Sequence, residues 1–492
     1  MDTAVSGPAD APLYQRVAAH YREAIGKGAL SAGARMPSVR ELMRRHAVSL
    51  STALQALRLL EDDGWLQARA RVGYFVRDAA TAALEEVPDP DLRSPLPQDA
   101  PDGRYVGINE RISLLLEAGH RTALRVDLGG ATPGPELFDA AFMNRGVAAV
   151  LREHPLVLAE GRALMAAQAE FQSAMARRAL DAGLRLSPHE VLGTTGNTEA
   201  VHLALSAVAQ PGDVVAVESP TYYGLLQVIE SQGLRTLEIP CSQRNGISLE
   251  ALQLAIRTEP RLRAVVVMPH LQMPLGTVMP DANKAAMVAL CAQHGLALIE
   301  DDSYRWLLEM PGPPRPAKAW DATGHVIYCE SFNKILAPGL RQGWMSAGRW
   351  HERVQMLKIA QSRSTPPLGQ LLVARWATAP SFGRHLQRLR TSLRGQREQT
   401  ARAIARHFPP GTRLRLPPGG LNLWVELPAG ACSSVLYGQA LREGIRIAPG
   451  SMFSNTGLYD RFVRFGCTLA FTDEVEQAYA VLGRLVGEAV RP

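Results

Sequence analysis

Lys334 lies in the string Ser331-Phe332-Asn333-Lys334-Ile335-Leu336-Ala337-Pro338-Gly339-Leu340-Arg341-Gln342-Gly343. An amine, a hydroxyl and a guanidinium thus share one short loop. An amine that attacks a carbonyl must be neutral, and burial beside cations makes a lysine so. A guanidinium grips a phosphate with a bidentate fork. Four more strings complement this loop. Thr195-Gly196-Asn197-Thr198-Glu199-Ala200 follows an apolar run and opens a helix, whose N–H groups favour an anion. Ser219-Pro220-Thr221-Tyr222-Tyr223-Gly224 puts aromatic rings after another apolar run, and Glu300-Asp301-Asp302-Ser303-Tyr304 puts carboxylates after a third. Two aspartates behind a buried strand are costly unless paired. Near the C-terminus, Arg461-Phe462-Val463-Arg464-Phe465-Gly466 is strand-like, with Arg464 among apolar neighbours. Taken singly, the helix opening also reads as a plain cap, Tyr222 as a core tyrosine and the aspartates as a surface turn.

Taken together, the groups meet the needs of pyridoxal 5′-phosphate (PLP): a lysine for its aldehyde, donors for its phosphate, a carboxylate for the pyridine nitrogen and an aromatic face for the ring. Their order resembles that of fold-type I aminotransferases. The resemblance implies that Gly196, Asn197, Thr198, Ser331 and Arg341 hold the phosphate and that Tyr222 stacks on the ring. It gives Asp301 the pyridinium nitrogen, Tyr304 the ring hydroxyl and Lys334 the aldehyde, with Lys334, Asp301 and Tyr304 as the catalytic set. Arg464 matches the arginine that grips a substrate carboxylate, and Asn422, in Gly419-Gly420-Leu421-Asn422-Leu423-Trp424, fits the adjoining strand. Two positions depart from the pattern. Met273 replaces the asparagine of the usual Asn-Pro-x-Gly turn, and methionine cannot donate a hydrogen bond. Asn333 stands where a serine commonly precedes the lysine. Efficient transamination is therefore not implied.

These residues need a scaffold. Short apolar runs at 214–217, 263–268, 297–300, 326–329 and 344–347 alternate with helical segments and suit parallel strands covered on both faces. Ligands of such sheets collect at the strands' carboxyl ends, where those strings fall. The first part of the chain differs. Val17, Tyr21, Ala24 and Ile25 recur at helical spacing over 13–30. Ser38 with Glu41 resembles a capping box for a second helix ending near His46, and a third runs from about Val48 to Leu60. Trp65-Leu66-Gln67-Ala68 and Gly73-Tyr74-Phe75-Val76 read as strands around a basic turn, Arg69-Ala70-Arg71.

Three helices and a hairpin make a winged helix-turn-helix. Pro-Ser-x-Arg-Glu-Leu, Val-Ser-x-x-Thr, Leu-Glu-x-x-Gly-Trp and a closing Gly-Tyr-Phe-Val, in that order, closely resemble the GntR-type module. The resemblance makes DNA contacts of Ser38, Arg40, Ser49, Ser51, Thr52, Gln55, Arg69, Arg71 and Gly73. Leu50 and Gln55 stand where many members carry arginine, so Leu50 would meet a thymine methyl and Gln55 an adenine. Arg44 and Arg45 suit a solvated helix face and His46 a structural role. His202, His270 and His294 have no assignable partner.

The combination resembles the MocR subfamily of bacterial regulators. It implies an α+β winged helix-turn-helix domain at 10–78 and a Pro-rich linker at 79–104. An α/β PLP-dependent transferase domain follows at 105–492, with a small α+β subdomain from about 370 to 492. PLP, a double-stranded DNA operator, a small amino-compound effector (or PLP itself) and a homodimer come with that resemblance. The rival reading is an active aminotransferase with an accessory head; a DNA repressor with a dead ligand domain fits less well, since Lys334, Asp301, Tyr222 and Arg341 occur together. Composition agrees: 492 residues exceed one ordinary domain, and a net charge of +6 permits a nucleic-acid partner. Five separated cysteines and no metal-binding spacing point to the cytoplasm, without a metal. Met1-Asp2-Thr3-Ala4 lacks signal-peptide character, and no apolar run reaches membrane-spanning length.

Overall fold

The computed structural model describes residues 12–27, 29–31, 33–69, 72–77, 85–87, 107–310 and 314–490. Arg71, the side chain of Arg69 and all of 79–104 except 85–87 lie outside the described residues. Three helices open the chain: α1 (Leu13–Gly26), α2 (Val39–His46) and α3 (Leu50–Asp62). The first stops short of Leu30. Ser38 caps α2, its hydroxyl accepting from the Glu41 N–H at 3.3 Å, while the Glu41 carboxylate turns to Arg45 instead of completing a capping box. Ala47, left-handed at φ 50°, turns the chain, and Ser49 caps α3 by accepting from the Thr52 N–H. Strands β1 (Leu66–Arg69) and β2 (Gly73–Val76) pair antiparallel as the wing. Val17, Leu42, Ala53, Leu57, Leu60 and Val76 fill the space between; burying each larger apolar side chain stabilises by roughly 1.5–3 kcal/mol. His46 bonds the Tyr21 hydroxyl at 3.1 Å, a structural role.

The large sheet has eight strands in the order β4-β11-β10-β9-β8-β5-β6-β7. These are β4 (Leu192–Thr194), β5 (Val214–Ser219), β6 (Arg235–Ser242), β7 (Gly246–Ile247), β8 (Leu262–Val267), β9 (Ala297–Asp301), β10 (Val326–Ser331) and β11 (Gly343–Ser346). The five from β10 to β6 run parallel, and β5 and β10 are buried along their whole length. The expectation of parallel strands fails at one run. β11 pairs antiparallel with both β10 and β4, because the chain returns directly from the Lys334 loop with no crossover helix. Three helices frame the site or its approaches: α4 (Ile108–Arg121), α5 (Asn197–Val208) and α6 (Tyr223–Ser231).

A second, antiparallel sheet is ordered β12-β13-β16-β15, from Arg413–Leu414, Asn422–Glu426, Phe462–Gly466 and Ala448–Pro449. It is reached through the long helix α7 (Pro380–His407). Beside it, β3 (Val126–Asp127) pairs parallel with β14 (Ile445–Arg446), so a segment preceding the large sheet joins the C-terminal layer. The proline-rich stretch also departs from expectation. Residue Glu85 bridges Arg413 in parallel register: its carbonyl accepts from the Leu414 N–H at 3.0 Å and its carboxylate from Arg413 Nε at 2.9 Å. Val87 is buried there. Among the described residues, no helix is long and apolar enough to cross a membrane.

Candidate functional site

The carboxyl ends of β5, β9 and β10 and the first turn of α5 surround a cavity of about 270 Å³. Asn197, Thr198, Tyr222, Asp301, Tyr304, Ser331, Lys334 and Arg341 all line it, drawn together from four separate strings. Ala131, Thr132 and Tyr223 line it as well, unforeseen from sequence. Lys334 Nζ donates to the Ala131 carbonyl at 2.6 Å and lies 3.2 Å from the Thr132 hydroxyl. Burial, then the charges of Arg464 and Arg341, draw the amine down to about 8 against the opposing pull of Asp301.

Strand alternation at the end of β9 sends Asp301 and Asp302 in opposite directions. Asp301 accepts from the Ser303 N–H at 3.0 Å, and burial pushes its carboxyl up despite that bond. Asp302 points into the core. Burial alone would raise it, but His270, bonded at 2.5 Å, and Arg305 outweigh that and hold it below the usual range. The Tyr328 hydroxyl adds a bond at 2.9 Å. The other His270 nitrogen meets the Lys284 amine at 3.0 Å. His270, Glu300 and Asp302 lie close enough together to hold a cation, and Lys284 and Arg305 bring the positive charge to them. The second aspartate is therefore paired, as its burial requires. On β5, Glu218 accepts from the Met268 N–H at 2.9 Å, and burial lifts its carboxyl to about 8.

The end of the cavity next to Gly196 and Arg341 has a particular backbone. Gly196 adopts φ +87°, and a Cβ there would come within 3.0 Å of Asn333 Nδ2 and 3.2 Å of Arg341 Nη2. Gly196 keeps the cup open without itself lining it. Arg341 is left-handed at φ 51°, a conformation costing a non-glycine residue on the order of 1–2 kcal/mol. α5 begins with no side-chain cap, and the Asn197 amide, facing Asp301, has buried nitrogen and oxygen without a protein hydrogen bond of ordinary geometry. Ser331 Oγ accepts from the Asn333 N–H at 3.2 Å.

Arg464 and Asn422 sit just outside the lining. Arg464 is buried on β16; one nitrogen donates to the Gly129 carbonyl, another lies 3.4 Å from Asn422 Oδ1, and its Nε has no partner among the described residues. Asn422 Nδ2 in turn lies 3.5 Å from the sulfur of Met273. Met273 is buried where the aminotransferase pattern has its asparagine.

On the N-terminal module, Arg40 is exposed on the first turn of α2, and Leu50, Ser51 and Gln55 are exposed on the first half of α3. Ser49, Ser51 and Thr52, expected as DNA contacts, bond one another. Ser49 Oγ bonds Ser51 at 2.9 Å and Thr52 at 2.8 Å while capping the helix. At the wing, Gly73 adopts φ 120° and pairs with Arg69, the partner of the basic turn. Arg35, unforeseen, bridges Phe75 and lays its guanidinium beside Gly73. Its only local signal is a basic residue before the α2 cap.

The fold joins a winged helix-turn-helix to a fold-type I, aminotransferase-like body. Residues 13–76 match the model for bacterial regulatory proteins of the gntR family, and residues 163–482 match that for aminotransferase class I and II. The HTH-type transcriptional regulators YjiR and YdcR of Escherichia coli are 34% and 35% identical, over 97% and 96% of this chain and 99% of each relative. The α-aminoadipate aminotransferase LysN of Thermus thermophilus, solved with N-(5′-phosphopyridoxyl)-L-leucine, superposes with a TM-score of 0.68 at 27% identity, covering 78% of this chain and 96% of that one. The chain belongs to the MocR subfamily of GntR-type regulators. The cofactor of that transferase domain is PLP, and the residues present fit it: the Arg341 guanidinium, the Ser331 hydroxyl and an uncapped helix start line the same cavity as Asp301 and a lysine drawn down to about 8.

Proposed function

We propose that this protein is a PLP-dependent transcriptional regulator that binds operator DNA through residues 10–78 and reads a small amino compound, or PLP itself, in residues 105–492. The observation that carries the reading is the coexistence, in one chain, of an exposed α2–α3 face with Arg40 at its edge and a cavity holding a lysine drawn down to about 8. PLP, when bound, supplies an aldehyde for a primary amine and a ring that withdraws electrons. Lys334 presents the neutral amine. Ser331, Arg341 and the N–H groups at Gly196, Asn197 and Thr198 would hold the phosphate, and Tyr222 would cover the ring. Asp301 would keep a proton at the pyridine nitrogen, and Tyr304 would donate toward the ring hydroxyl. Arg464, steadied by Asn422, orients the effector's carboxylate.

Lys334 Nζ rests on the Ala131 carbonyl; a ligand that engaged this amine would draw it from that contact, so ligand states would differ in how the site closes. Differential affinity for two conformations is what shifts their populations. The active unit is a homodimer. Leu156 and Leu158, in the turn after the helix Ala140–Glu153, are 57% and 74% exposed, and Met165, on the following helix Arg162–Asp181, is 78% exposed, apolar surface suited to a second copy. The protein works in the cytoplasm. Transamination is weak, because Met273 offers sulfur where the usual asparagine donates.

The test pairs absorbance with DNA binding. Protein soaked in excess PLP should show a band near ~420 nm, as PLP joined to an amine does, and Lys334→Ala should lack it. A labelled fragment from upstream of the gene should bind with strong salt dependence. The second reading, an ordinary aminotransferase, is favoured by the full chemical set around the cavity. Rapid turnover of an amino donor and a keto acid, with no specific DNA binding, would establish it instead.

A further inference from the structure

Glu238, on β6 and outside the cavity, is the common acceptor for two parts of the fold. From β5 it receives the Ser219 hydroxyl at 2.6 Å, three residues before Tyr222. From the C-terminal layer it receives the Ser454 hydroxyl at 2.7 Å and the Asn455 N–H at 2.6 Å. Ser219 and Ser454 are buried, so neither hydroxyl has water to turn to. The same two segments are stitched again alongside: the Thr221 N–H donates to the Phe453 carbonyl at 2.9 Å, and Tyr459 OH lies 3.2 Å from Ser219 Oγ.

The segment that Glu238 grips also touches α4. Arg111 Nη2 donates to the Ser454 carbonyl at 2.7 Å. Two residues earlier, the Asn109 N–H donates to Glu230 Oε2 at 2.6 Å, and Glu230 lies near the end of α6, the helix that starts at Tyr223 directly after Tyr222. The first turn of α4 is therefore held on one side by the helix bearing the ring-covering turn and on the other by the segment that Glu238 anchors. That turn is also where the chain enters from the linker.

Resting on the regulator reading, we propose that Glu238 is a positioning residue that couples the Tyr222 turn to the first turn of α4, so that occupancy of the PLP cavity is felt at the far end of the linker, where it leads into α4. PLP seated under Tyr222 fixes the 219–222 turn. Glu238 carries that constraint to Ser454 and Asn455, and Arg111 carries it to α4. The carboxylate suits this place because it accepts three donors at once, which an amide, with a single oxygen, does not.

Hydrogen–deuterium exchange on the full-length protein, with and without saturating PLP, tests this directly. In the native sequence, PLP should slow exchange in 108–121 by about tenfold, the scale of one well-placed hydrogen bond. Glu238→Ala leaves Lys334, Asp301 and Arg341 in place, so it should still develop the ~420 nm band while losing most of the added protection in 108–121; Glu238→Gln should retain part of it. If Glu238→Ala fails to fold, Arg111→Ala cuts the same route from the other end and should give the same loss. A native protein that shows the band with no change in 108–121, or a Glu238→Ala protein that keeps the full PLP-induced protection, overturns the proposal and leaves the regulator reading standing. Absence of the band in the native protein removes that reading, and this one with it.

Discussion

Lys334 shows how one side chain takes its chemistry from its surroundings. Burial and two arginines bring its proton affinity down to about 8, where an ordinary lysine holds its proton to ~10.4. The amine becomes reactive as pH rises through about 8, so the rate of PLP capture by the apoprotein should climb across that region and level off above it. Stopped-flow absorbance against pH would show the inflection; one near that of a free lysine would contradict that environment. The sign for stability is the same. Between about 8 and the ordinary lysine value, the unfolded chain holds a proton that the folded chain has lost, so this group's contribution to apoprotein stability rises with pH over that window. The motif around Lys334 was readable because its chemistry is local: amine, hydroxyl and guanidinium share one loop. Ala131 and Thr132 gave no such signal. They reach Lys334 only through folding, from far along the chain, and a main-chain carbonyl leaves no mark in sequence. His270 was unassignable for a related reason, since both its partners, Asp302 and Lys284, lie on other elements.

Among the elements, periodicity located the helices of the N-terminal module closely, with α2 ending at His46 as its pattern predicts. Strand direction was less legible. An apolar run reports burial on both faces, and β11 is as buried as its parallel neighbours although it runs the other way. Caps were half legible: Ser38 caps α2, but Glu41 prefers Arg45. The residues expected to contact DNA divide accordingly. Ser49, Ser51 and Thr52 already bond one another and the helix start, which leaves Arg40 and Gln55 as the freer groups on this face. Arg40→Ala should weaken binding to all DNA sequences alike and lower the slope of log affinity against log salt by about 1, as loss of one phosphate contact does. Anisotropy titrations at several salt concentrations would measure it. A sequence-selective loss with an unchanged slope would place Arg40 on a base instead.

For the whole molecule, an α-helical and hairpin head and a cofactor-holding body share one chain, and communication between them depends on the contacts of the segment between. The exposed apolar side chains of Leu158 and Met165 bear on assembly. Replacing an exposed leucine at an interface centre with a charge desolvates that charge on association. Leu158→Glu should therefore shift sedimentation from dimer toward monomer at micromolar concentration while keeping the fold, as read by circular dichroism. An unchanged sedimentation coefficient would move the interface elsewhere. Proline-rich composition made the linker legible as a linker. It could not reveal that Val87 finds a buried place, because one docked valine has no periodicity to announce it.

That small seam at Glu85 and Arg413 sets the length of a leash. Were the head free along the whole of 79–104, covalent geometry would let it wander up to roughly 90 Å from the body. Pinned at Glu85, the chain leaving the wing at Val76 can span no more than roughly 30 Å before it reaches its mooring. In a dimer, two heads so tethered would reach a narrower range of half-site separations than two heads free along the whole of 79–104.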